Sequence, residues 1–85
     1  MSESRDTRVK RLKMRSMRRG IKEMDLILSQ FSEIALEDMS EADLDIYDAM
    51  LSENDHDLYQ WVTGQVATPD KYGEMIAMIA DRFKV

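Results

Sequence analysis

The groups in this chain that could do chemistry are mostly carboxylates. Asp43, Asp45, Asp48, Glu53, Asp55 and Asp57 crowd one stretch, and His56, the sole histidine, sits among them. A calcium loop of the EF-hand kind needs alternating oxygen ligands, a central glycine and a closing glutamate. Ser52-Glu53-Asn54-Asp55-His56-Asp57 has neither that glycine nor that closing pattern, so these acids read as helix caps and a solvated acidic face. A triad built on His56 would need a nucleophile motif such as G-x-S-x-G, which the chain lacks. There is no cysteine, which excludes a disulfide scaffold, a thiolate zinc site and a thiol nucleophile. Gly20, Gly64 and Gly73 stand too far apart to form a phosphate-binding loop. The expectation is a protein that is not an enzyme and has no catalytic or metal-ligating set.

The segment Arg18-Arg19-Gly20-Ile21-Lys22-Glu23-Met24-Asp25 is more informative. Inside a helix, glycine costs about 0.5–1 kcal/mol relative to alanine. Arg19 and Glu23 are four apart and would share a helical face, but the basic residue comes first, the less favourable order for the helix dipole. A stretch that stabilises a helix poorly makes better sense as a recognition surface, with bare backbone flanked by a cation and an anion.

The elements that must position these residues are helical. Strand periodicity is absent and β-branched residues are few. A first helix is expected from about Thr7 to Arg18, with Val9, Leu12 and Met17 on one side and residues 1–5 frayed. Gly20 marks a junction or bend. A second helix carries Ile21, Met24, Ile27 or Leu28, Phe31 and Ile34 or Ala35 at core-facing spacing. Ser40 caps a third, with Asp43 as a weak capping-box partner and Leu44, Tyr47, Met50 and Leu51 facing inward. Asn54 or Asp55 caps a short fourth helix with Leu58, Trp61 and Val62, stopped by Gly64. Thr68-Pro69 opens a fifth, carrying Tyr72, Met75 or Ile76, Ile79 and Phe83. The fold class is all-α, a compact bundle of five short helices forming a single domain over residues 1–85.

The net charge of −5 hides a division. Residues 1–22 hold nine of the twelve basic residues and two acids, whereas residues 23–85 hold three bases and fifteen acids. Such asymmetry points to a charged partner or an intramolecular match, with a solvated basic first helix as the plainest reading. Binding of nucleic acid through residues 5–22 ranks low, because the acidic body would repel a duplex. No apolar run approaches the roughly 20 residues that span a bilayer, so no direct membrane insertion is expected. No apolar segment follows the basic N-terminus, and Glu3 and Asp6 interrupt a presequence pattern, so a mature, cytoplasmic monomer is expected. Of the eight methionines, Met14 and Met17 are the best candidates for exposed contacts, and Trp61 reads as a core anchor.

Three landmarks together resemble the succinate dehydrogenase assembly factor family, the small bacterial and mitochondrial flavinylation factors. They are the R-G-x-x-E motif at Arg19-Gly20-Ile21-Lys22-Glu23 with Asp25 close behind, Met39-Ser40-Glu41-Ala42-Asp43, and Asp57-Leu58-Tyr59-Gln60-Trp61-Val62-Thr63-Gly64. Met39 replaces the usual leucine, and His56 stands where many members carry proline. The resemblance implies a five-helix bundle that binds the flavoprotein subunit of succinate dehydrogenase, or of fumarate reductase. Such a protein acts as an assembly factor or chaperone and promotes covalent attachment of FAD to its client. The FAD is then carried by the client, with no cofactor assigned to this chain. Arg19, Gly20 and Glu23, with Asp25 as an addition, would be the client-binding residues. Apart from the resemblance, the chain would equally suit a small acidic helical regulatory module, antitoxin-like, that binds an unrelated protein.

Overall fold

Side chains at the helix ends fix where each element begins and stops. The computed structural model describes residues 3–83. Helix α1 (Arg5–Arg15) follows Ser4, whose hydroxyl accepts the Thr7 N–H at 3.2 Å. Helix α2 (Lys22–Ala35) has no side-chain cap and runs into a 3₁₀ turn at Leu36–Asp38. Ser40 caps α3 (Glu41–Leu51) by accepting the Asp43 N–H at 3.1 Å. Asn54 caps α4 (Asp55–Val62) by accepting the His56 N–H at 2.8 Å. Gly64 then adopts φ 79°, its N–H donating to the Trp61 carbonyl at 3.2 Å while Gln65 N–H reaches Gln60 at 2.9 Å. This pair of bonds is a Schellman ending, which needs a left-handed residue where the glycine stands. A second 3₁₀ turn, Asp70–Tyr72, leads into α5 (Gly73–Arg82). There is no strand among the described residues, and the all-α bundle of five short helices is the fold.

Three boundaries differ from the sequence reading. Arg5 is already helical rather than frayed, and its guanidinium bonds Glu41 and the Glu37 and Met39 carbonyls; residues 1 and 2 lie outside the described residues. Helix α1 stops at Arg15, short of Arg18, whose φ of 55° is not helical, and Ser16 just past its end is tied to α3. The buried Ser16 hydroxyl lies 2.8 Å from the Leu12 carbonyl and 2.6 Å from the Tyr47 hydroxyl. Thr68 makes no cap, and Pro69 opens the 3₁₀ turn instead of α5.

The core is one cluster drawn from all five helices. It comprises Val9 and Leu12 from α1, Met24, Leu28 and Phe31 from α2, and Leu44, Tyr47, Met50 and Leu51 from α3. Leu58 joins from α4, and Met75, Ile76 and Ile79 from α5. Phe31 and Tyr47 stack with centroids 5.9 Å apart across α2 and α3. Trp61 is half-buried at the edge of this core, packed on Tyr72 at 5.9 Å. Burial pushes the Tyr47 hydroxyl up to about 12, since a phenolate there would lose its hydration. Met14 and Met17 are exposed, as expected, and so is Met78.

Candidate functional site

Residues 16–21 are not helical, so Arg19 and Gly20 do not lie on a common helical face with Glu23. They form the turn that joins α1 to α2. Arg18 takes the left-handed conformation there, with φ 55°, and its N–H donates to the Asp25 carboxylate at 2.8 Å. Asp25 also accepts from the Ser29 hydroxyl at 3.3 Å, one turn along α2. Asp25 thus ties the turn to the helix that follows it.

Arg19 is pinned from three sides. Its Nε donates to Asp55 Oδ1 at 2.8 Å, and the ion pair closes to 2.6 Å. Its remaining N–H groups reach the Arg15 carbonyl at 3.1 Å and the Leu51 carbonyl at 3.0 Å, the last turns of α1 and α3. Both partners of the Arg19–Asp55 pair are only 12% exposed. Gly20 N–H donates to the other oxygen of the same carboxylate. Gly20 does not have positive φ, so the backbone conformation alone does not demand glycine. Space is tight instead, because a Cβ there would stand 3.1 Å from Asp55 Oδ2, which would have to give by a few tenths of an ångström.

Glu23 behaves differently. It is exposed in the first turn of α2, where a carboxylate suits the helix dipole, and among the described residues no hydrogen bond or ion pair engages it. Leu26 and Ile27, three and four residues on, continue the same face. With Tyr59, Val62, Ala77, Ala80 and Phe83 they line an open, mainly apolar groove of about 710 Å³ between α2, α4 and α5. Leu26 is 56% exposed at its edge. Glu23 and Asp81 both border the groove.

Several cations of the basic segment meet acids of this fold, while Lys10, Arg18 and Lys22 are exposed. Arg8 pairs with Glu41 and Asp45, Arg11 and Arg15 with Asp48, and Lys13 with Glu37 of the 3₁₀ turn at 3.2 Å. The hydrogen bond to Asp45 holds the Arg8 guanidinium more firmly protonated than usual. The intramolecular charge match is thus found in place of a basic helix left to solvent, while the acidic face stays solvated, Glu41 and Asp45 being 62% and 70% exposed. Much of the charge division closes within the molecule, and Glu53 accepts from the Tyr72 hydroxyl at 2.8 Å. Among the described residues no group of three or more His, Cys, Asp or Glu could hold a metal ion. No helix among them is long and apolar enough to cross a membrane.

Sequence reasoning missed two participants, Asp55 and the Leu26 groove. Asp55 looked like one capping acid among several, and nothing local signals a bond across 36 residues. Leu26 did carry a signal, since it is a large apolar residue off the core stripe of α2 and three residues from Glu23.

A helical bundle with an open apolar groove beside an unpaired carboxylate has the geometry of a binding module. Residues 10–83 match the family of the flavinator of succinate dehydrogenase, and the chain belongs to that family. Relatives called "Succinate dehydrogenase assembly factor 2, mitochondrial" include those of Meyerozyma guilliermondii and Candida glabrata. The first is 46% identical over 61 residues, covering 72% of this chain and 45% of the relative. The second is 46% identical over 68 residues, covering 80% and 44%. The Aspergillus flavus protein of the same name is 44% identical over 64 residues, covering 75% and 22%. The chain thus spans less than half the length of these relatives. Their names overturn the cytoplasmic location expected from the sequence, since all three are called mitochondrial and so point to mitochondria. That expectation had rested on Glu3 and Asp6 interrupting a presequence pattern and on no apolar segment following the basic residues.

Proposed function

We propose that this chain is an assembly factor that binds the flavoprotein subunit of succinate dehydrogenase, or of fumarate reductase, and promotes covalent attachment of that subunit's FAD. The observation that carries the reading is Glu23. Arg19, Gly20 and Asp25 are bonded inside the fold, whereas Glu23 is exposed and has no partner among the described residues, beside an open apolar groove. Glu23 contacts the client directly, and the groove with Leu26 takes an adjoining apolar segment. Arg19, Gly20 and Asp25 belong to the client-binding site by building the turn from which Glu23 projects. The chain is not an enzyme on this reading. The flavin chemistry resides in the client, and tighter binding to the attachment-competent conformation of the client shifts its population.

The test is covalent-flavin fluorescence of the client subunit in a denaturing gel, with no addition, with this chain, or with its Glu23→Ala variant. The expected result is a fluorescent client band with the intact chain and a much weaker one with the variant. Melting of the variant should shift little, because an exposed first-turn carboxylate contributes only about 0.3–1 kcal/mol. Equal fluorescence in all lanes would overturn the reading.

A further inference from the structure

We infer that Asp55, a residue of α4 outside the R-G-x-x-E motif, is the positioning residue that sets the geometry of the motif, and that position 20 is glycine to admit its carboxylate. The inference rests on the client-binding role of Glu23 proposed above and names what holds Glu23 in place.

The geometry points to Asp55 in two independent ways. One oxygen, Oδ1, receives the Arg19 side chain, and the other, Oδ2, receives the main-chain N–H of Gly20. A carboxylate present only to neutralise Arg19 would have no need of the second contact. Asp55 therefore grips consecutive residues of the turn, one by its side chain and one by its backbone. The turn is fixed at its other end as well, by the bond from Arg18 N–H to Asp25. With Arg18, Arg19 and Gly20 all held, only Ile21 separates them from α2, and Glu23 is the second residue of that helix.

The glycine follows from the same contact. Gly20 does not have positive φ, so an L-residue could adopt its backbone conformation. A methyl at Cβ would stand 3.1 Å from Asp55 Oδ2, closer than ordinary van der Waals contact. The carboxylate would have to give by a few tenths of an ångström while still holding Arg19 and the Gly20 N–H. The crowding at position 20 thus comes from inside the fold.

The test uses the full chain with Asp55→Asn, Glu23→Ala and the double variant. Asp55→Glu serves as a second probe, since it keeps a charge for Arg19 while its longer side chain moves the oxygen off Gly20 N–H. Two quantities are read: exchange of the Gly20 amide by NMR, and the initial rate of client flavinylation per folded molecule. In both Asp55 variants Gly20 exchange should accelerate by about tenfold or more while the amides of Leu28 and Leu44 keep their protection. Flavinylation should fall in parallel. The double variant should be no slower than Glu23→Ala alone, because residues acting through one another are not additive. Unchanged Gly20 exchange in both variants would overturn the inference. So would full flavinylation by Asp55→Asn alongside its loss in Glu23→Ala, or losses that multiply in the double variant. If Glu23→Ala itself flavinylates normally, the client-binding role of Glu23 falls, and amide exchange alone decides whether Asp55 holds the turn.

Discussion

Two faces of this bundle treat charge in opposite ways. Along the α1–α3 seam and its extension at Arg19, arginines meet acids from residues 41–55, and buried polar side-chain atoms among the described residues have partners. Across the α2–α4–α5 groove, Glu23 has no partner among the described residues and stands beside apolar side chains left open to solvent. The first face holds the fold together with charge. The second leaves a carboxylate and apolar area unused by the fold, the combination a partner's surface can complete. The motif lies on the border between them. Its arginine and glycine belong to the closed face and its glutamate to the open one.

The sharpest way to break this contrast is at Arg19. Removing its side chain in Arg19→Ala leaves Asp55 and the Arg15 and Leu51 carbonyls without their partner in a nearly closed site. The expected destabilisation is about 3 kcal/mol, the low end for breaking a buried pair, measured by urea unfolding. A loss near zero would place Arg19 with the surface charges. On the open face, Leu26→Ser should leave the urea midpoint almost unchanged. It should weaken client affinity by about 1 kcal/mol, roughly fivefold, for the apolar area no longer covered on binding. Calorimetric titration with the flavoprotein subunit would show it, and unaltered affinity would remove the groove from the interface.

A third test concerns Tyr47, which ties α3 to the end of α1. Its folded pKa of about 12 lies above the ordinary 10.0, so the folded state favours the protonated phenol. That contribution is complete below pH 10 and disappears as the pH climbs toward 12. Tyr72 is shifted the same way, by burial first and then by its bond to Glu53. Tyr47→Phe should lose about 1 kcal/mol near neutrality with the hydrogen bond to Ser16. It should also flatten the alkaline fall in stability, seen as urea midpoints converging with those of the native chain above pH 10. The smallest effect is expected at Arg11, whose side chain is 41% exposed and pairs with Glu3 and Asp48. Arg11→Ala should change stability by about 0.5 kcal/mol or less, and salt should erase the difference. A large loss there would mean that the seam acts as one network and not as separate surface pairs.

Local signals carried much of the fold. Ser40, Asn54 and Gly64 cap or stop helices where their chemistry suggests, and Leu44, Tyr47, Met50 and Leu51 face inward at helical spacing. Features set by distant partners were not legible. The end of α1 is tied down by Ser16 bonding a tyrosine 31 residues away, and the acids of α3 find their cations in α1. At Thr68-Pro69 the local pattern was real, but a 3₁₀ turn intervenes before the helix. For the site, the motif residues could be picked out by resemblance, but the separation of Arg19 from Glu23 could not. Spacing of four suggests a shared helical face only if the backbone between is helical, and Arg18 at φ 55° breaks that assumption.

The bond between Gly20 and Asp55 also bears on the order in which the molecule is made. All residues of the motif leave the ribosome well before α4 does, yet the turn cannot take its final shape until residue 55 arrives. A nascent chain ending at residue 50 would contain the motif as letters without its geometry. Closing so long a loop is slow and entropically unfavourable compared with winding a helix. The turn is therefore expected to set late in folding, so that Glu23 takes its place only once the bundle behind it is whole.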